Sequence, residues 1–141
     1  MDTPAFPLQV FYDGACSVCA AEMNHYRRRE HGGRLVFVDL SNPDFDPTPF
    51  NITLEAFNYE MHAIDREGRV YRGVEAFWAI WRAFPTSTGY GVFATLIALP
   101  GVNHLARLAY LVFARFRKYL PRSPSACDDG VCRRGEEKPP R

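Results

Sequence analysis

Apolar residues recur along this chain with two different periods, and the periods divide it into a small set of elements. Leu8 to Tyr12 is a short, apolar, β-prone run that predicts a first strand. From Ser17 to about Glu30 the pattern is helical and ends in Arg27-Arg28-Arg29. Basic side chains suit the C-terminal end of a helix, and His31-Gly32-Gly33 supplies a stop. Leu35-Val36-Phe37-Val38 predicts a second strand, apolar enough to be buried on both faces of a sheet. Strand, helix and strand within roughly 30 residues make a βαβ unit with parallel strands.

The next stretch, Asp39 to Thr53, holds Pro43, Pro47, Pro49 and several aspartates and predicts a loop, with a short helix at Leu54 to Asn58. Glu60 to Asp65 and Arg69 to Arg72 flank Arg66-Glu67-Gly68, the pattern of a hairpin with its glycine in the turn. Phe77, Ile80, Trp81 and Phe84 then fall at i, i+3, i+4 and i+7, one face of an amphipathic helix. Two more helical segments follow, Gly91 to Leu99 and Asn103 to Tyr119, separated by Pro100-Gly101. In the second, Leu105, Leu108, Ala109, Val112, Phe116 and Tyr119 form a stripe. The preferred expectation is that this stripe packs over the open face of the sheet, with a membrane or membrane partner as the alternative. No internal repeat is visible.

Composition narrows the class. At 141 residues, 47% hydrophobic and 14% aromatic, the chain has material for one packed domain. We expect residues 1–120 to form it, about 91–120 being a helical extension and 121–141 a flexible tail. The net charge of +1 gives no overall argument for a nucleic-acid or acidic partner. Arg27-Arg28-Arg29 beside Tyr26 reads as a solvated helix face rather than a phosphate contact. The first residues lack a basic n-region and a long apolar run, and Val92 to Ala114 is interrupted by Pro100, Gly101, Asn103, His104 and Arg107. A cytoplasmic location is therefore expected, and four cysteines there read as catalytic or metal-binding.

The candidate chemistry lies where the first strand meets the first helix. Asp13-Gly14 forms a turn, and Cys16 and Cys19 follow three positions apart as the helical pattern begins. A strand, a turn and Cys-x-x-Cys on a helix's first turn is how thioredoxin-like proteins present a redox dithiol. Residues i and i+3 share a helix face, so the two sulfurs can meet. Unpaired N–H groups and the partial positive charge of a helix start stabilise a thiolate there. Cys16, nearer the helix start, is expected to be the more exposed thiol and the attacking one, with Cys19 resolving the mixed disulfide. Asp13 fits an Asx-turn, though a carboxylate so close could also relay protons to the thiols or raise their pKa. Glu22, one turn beyond Cys19, reads as a solvated helix residue, or else as a partly buried acid beneath the dithiol. His25, His31, His62 and His104 show no ligand-like spacing to the cysteines.

Cys127 and Cys132 flank Asp128-Asp129-Gly130-Val131, a turn-forming sequence. Three readings stand: a second redox pair exchanging with the first, a zinc site completed with Cys16 and Cys19, or tail thiols without a role.

Phe11-Tyr12-Asp13-Gly14-x-Cys16-x-x-Cys19-x-x-Glu22 resembles the signature of the DCC family of predicted thiol–disulfide oxidoreductases, named for its D-x-x-C-x-x-C motif. Gly33 to Asp39, the Met61 to Arg72 hairpin with Gly73 to Phe77, and Leu99-Pro100-Gly101 resemble further landmarks, so the likeness covers most of the chain. It implies a thioredoxin-like α/β fold, a βαβ(α)ββα core with added C-terminal helices. It also implies a redox disulfide at Cys16 and Cys19 with no other cofactor, and Asp13 as the motif acid. The expected partner is a disulfide-containing protein or a small thiol. Thioredoxin-like proteins usually carry a cis-proline before the third core strand, whereas Asn58-Tyr59-Glu60-Met61-His62 has none. A cis bond without proline costs about 2.5–4 kcal/mol, so trans geometry is expected there. Tyr12, Gly14 and the Tyr59, Met61 and His62 stretch are expected to line the site.

Overall fold

Strand β1, Leu8–Tyr12, is the central element, with every residue but Gln9 buried. The structure is a computed structural model and describes residues 2–85, 89–116 and 119. Helix α1 is Ser17–Arg27, and strand β2 is Leu35–Asp39, parallel to β1 with Leu8 opposite Leu35 and Tyr12 opposite Asp39. A 3-10 turn at Thr48–Phe50 and helix α2, Leu54–Tyr59, precede the hairpin of β3, His62–Ile64, and β4, Val70–Arg72. Helix α3 is Val74–Trp81, α4 is Gly89–Ala98 and α5 is Pro100–Phe116. The strands lie in the order β2-β1-β3-β4, and β3 runs antiparallel to both β1 and β4. This mixed four-stranded sheet with five helices among the described residues is a thioredoxin-like α/β arrangement.

The period-two alternation of β1 sorts two cores. Leu8, Val10 and Tyr12 face Met23 and Tyr26 of α1 and Ala76, Ala79 and Ile80 of α3. Phe11 faces the other way, with Leu40, Phe57 and Ile64. Its ring lies 4.8 Å from Phe57 and 4.9 Å from Phe50 between centroids, so the proline-rich stretch is a packed cover for that face rather than an open loop.

Several expectations are corrected. Strand β2 is not buried on both faces: it is an edge strand, and Val36 is exposed. Helix α1 ends at Arg27, with Gly32 and Gly33 in the left-handed region just beyond. Pro100-Gly101 does not separate two helices but opens the second, because proline's fixed φ and missing N–H suit a first helical turn. The α5 stripe does not pack over the sheet. Leu105 and Leu108 are 70% and 62% exposed, and α5 rests on α3 and α4, because the helices α1 and α3 and the α2 layer already cover both sheet faces.

Candidate functional site

The turn after β1 is built from its own backbone and from β2. Asp13 Oδ1 accepts the Ala15 N–H at 3.0 Å, and the Asp13 carbonyl accepts the Cys16 N–H at 3.0 Å, an Asx-turn closed inside a backbone turn. The Gly14 N–H donates to Asp39 Oδ1 at 2.9 Å. The same oxygen accepts the Ser41 N–H at 2.8 Å and the Ser41 hydroxyl at 2.6 Å. Parallel pairing of β1 with β2 delivers Asp39 there, directly beside Tyr12. The sequence places Asp39 at the start of a loop and at the end of the Gly33 to Asp39 landmark but gives it no role, since nothing local to it reveals a partner 25 residues earlier.

Cys16 is the N-cap of α1, with extended backbone, and its Sγ accepts the Cys19 N–H at 3.4 Å. A sulfur in this position receives one of the four N–H groups that the first turn of a helix leaves unpaired. The two cysteines are not joined in a disulfide, and they are 5% and 6% exposed, so exposure does not separate an attacking from a resolving thiol as expected. The distinction left is position: Cys16 caps the helix and Cys19 lies one turn inside it.

Glu22 is not a solvated helix residue. It is half-buried, and burial raises its carboxyl pKa above the ordinary value against the opposing influence of Tyr26 and His25. The Tyr26 hydroxyl donates to Glu22 Oε1 at 2.7 Å and accepts the Trp81 Nε1–H at 2.9 Å. This chain ties α1 to α3, and burial pushes the Tyr26 phenol up as well. The Glu22, Tyr26 pair at i, i+4 is legible in the sequence, but Trp81 is not.

The remaining candidates fall in different places. The Tyr12 hydroxyl accepts from Arg27 at 3.1 Å. Tyr59 is at the surface, 58% exposed, while Met61 is in the core facing α1 and α3. The Met61 N–H donates to the Tyr110 hydroxyl of α5 at 2.6 Å. His62 is buried on the opposite sheet face against Phe57, and burial lowers its pKa. Its Nδ1 hydrogen is accepted by the Glu60 carbonyl at 2.9 Å. The peptide bonds from Asn58 to His62 are trans. In the basic run Arg28 and Arg29 are exposed, while Arg27 lies over the Phe37 ring and Arg29 over that of Tyr90. Among the described residues no group of three or more His, Cys, Asp or Glu is disposed to hold a metal, and Cys127 and Cys132 lie outside them.

Comparison with known proteins places the chain in a family. A chloroplastic protein of Arabidopsis thaliana, itself uncharacterized, is 31% identical over 120 residues. The match covers 84% of this chain and 54% of the relative, so the chain spans about half the length of that protein. No solved structure matches. The family model for DCC1-like thiol-disulfide oxidoreductases matches residues 10–123, and the chain belongs to that family.

Proposed function

We propose that the chain exchanges electrons with disulfides through Cys16 and Cys19. The observation that carries this reading is the capping geometry: Cys16 Sγ receives the Cys19 N–H at the start of α1, where a thiolate is favoured. In the reducing direction, the Cys16 thiolate attacks one sulfur of a substrate disulfide, a Cys16–substrate bond forms, and the other substrate sulfur leaves as a thiolate. Cys19, deprotonated, then attacks Cys16 Sγ and expels the second substrate thiolate. Two electrons pass to the substrate, and Cys16–Cys19 is left as a disulfide. Asp13 acts as a positioning residue through its turn, and Asp39 supports it from β2. The direction in the cell follows from the pair's potential against its surroundings. Trans peptide bonds and the absence of proline at Tyr59–His62 favour a small disulfide or a dedicated partner over general docking of extended peptides.

Trapping tests this directly, with glutathione disulfide and oxidised insulin as probes. Cys19→Ser should accumulate a mixed disulfide through Cys16, visible by non-reducing mass measurement, and Cys16→Ser should not. No trapped species, together with equal disulfide reduction by wild type and Cys16→Ser, overturns the assignment.

A further inference from the structure

Helices α4 and α5 leave an apolar surface that thiol chemistry does not use. On α5 only Asn103, Ala106, Tyr110 and Ala114 are half-buried, and no residue is fully buried. At 3.6 residues per turn, Val102, Leu105, Leu108, Val112, Phe113 and Phe116 fall within one arc of about 140° that contains no charged residue. All six are exposed, between 39% and 70%. Helix α4 adds Val92, Phe93 and Leu96, and Leu99 lies at the elbow, each 45% exposed or more. An apolar surface of this extent on a folded chain marks an interaction site.

The charge around the surface indicates what covers it. From Gly89 to Leu120 the sequence has no Asp or Glu, against Arg107, Arg115, Arg117 and Lys118. Arg107 pairs with Glu75 of α3, and Arg115 is exposed at the border of the apolar arc, two turns on from Leu108. A second copy of the same face would bring like charges together with no acidic group on α4 or α5 to answer them. An anionic bilayer surface offers both an apolar layer and the opposite charge. Neither helix alone is long and apolar enough to cross a membrane, and the two meet at 101°. Two helices so bent cannot make one straight span, but they can lie together in the headgroup plane. We propose that the α4–α5 elbow is a docking surface for anionic lipid bilayers, with the α5 arc turned into the interface and Arg115 at its rim.

Flotation of the full chain with vesicles tests this independently of the thiols. The chain should float with phosphatidylcholine vesicles containing phosphatidylglycerol, less with phosphatidylcholine alone, and less again as salt rises. Leu105→Glu and Leu108→Glu should each lower the partition coefficient about tenfold, the order expected for losing one buried leucine. Both side chains are mostly exposed, so the circular dichroism spectrum should not change. Arg115→Glu should weaken binding to the anionic vesicles only, and Cys16→Ser should float like wild type. No flotation with the anionic vesicles, or flotation indifferent to Leu105→Glu, overturns the proposal. So does a dimer in analytical ultracentrifugation that Leu105→Glu dissociates, which would assign the face to a second copy.

Discussion

At Gly14 the decisive quantity is space. A Cβ built on this residue would lie 2.1 Å from Asp39 Oδ2, far inside contact distance. Gly14→Ala therefore has to displace Asp39, which also accepts from Gly14 and twice from Ser41. Ser41 is buried, and its donors would lose their acceptor. We expect Gly14→Ala to cost about 1–3 kcal/mol in urea unfolding. In an Asp39→Ser background, where the carboxylate is gone, the same substitution should cost clearly less. Equal costs in the two backgrounds would show that the glycine is required for another reason. Gly14 is legible in the sequence as a turn residue beside Asp13, and that much is correct. The reason for it is not legible, because the clash comes from β2 and exists only once Tyr12 pairs with Asp39.

Elements show the same division between local pattern and assembled context. The periodicities of β1, α1 and α3 place them within a few residues, because each depends on which of its own side chains are apolar. Burial of β2 and α5 could not be read in this way. Four apolar residues in a row describe an edge strand as well as a central one, and an apolar stripe describes a core helix as well as an unpartnered one. The Glu22–Tyr26–Trp81 chain between α1 and α3 gives this level a pH signature. Burial raises the folded-state pKa of Glu22 above its unfolded value. Its contribution to stability is therefore full below the ordinary carboxyl range and is lost as pH rises through the folded-state pKa. Glu22→Gln keeps an oxygen that can accept from Tyr26 but cannot ionise. Stability of wild type relative to Glu22→Gln should thus decline as pH rises above the ordinary carboxyl range, followed by denaturant unfolding at each pH. Parallel profiles for the two proteins would remove Glu22 from the pH response.

At the scale of the whole molecule, a hydrogen bond joins α5 to the residue that leads into β3. The Met61 N–H, on a residue only 5% exposed, donates to Tyr110 of α5 at 2.6 Å, while its carbonyl accepts the Gly73 N–H. Tyr110 also packs against Phe77 of α3. Few other features hold α5 down, since none of its residues is fully buried, whereas Leu8, Val10, Met23 and Ile80 are fully enclosed. Units with little buried surface open locally before the rest of a fold does. Amides of α5 should accordingly exchange with deuterium well before those of β1 and α1. Tyr110→Phe sharpens the expectation. In the closed state it leaves the Met61 N–H without this acceptor, and in the locally opened state water satisfies that group. The substitution therefore penalises only the closed state, by about 1–3 kcal/mol. Exchange in α5 should rise by roughly 5- to 150-fold with β1 unchanged. Equal acceleration of α5 and β1 would mean that the appended helices and the sheet open as one unit. No acceleration at all would mean that the hydroxyl does not anchor α5. Anionic vesicles should act in the opposite sense and slow α5 in wild type, because a bilayer would cover the apolar arc that the fold itself leaves open.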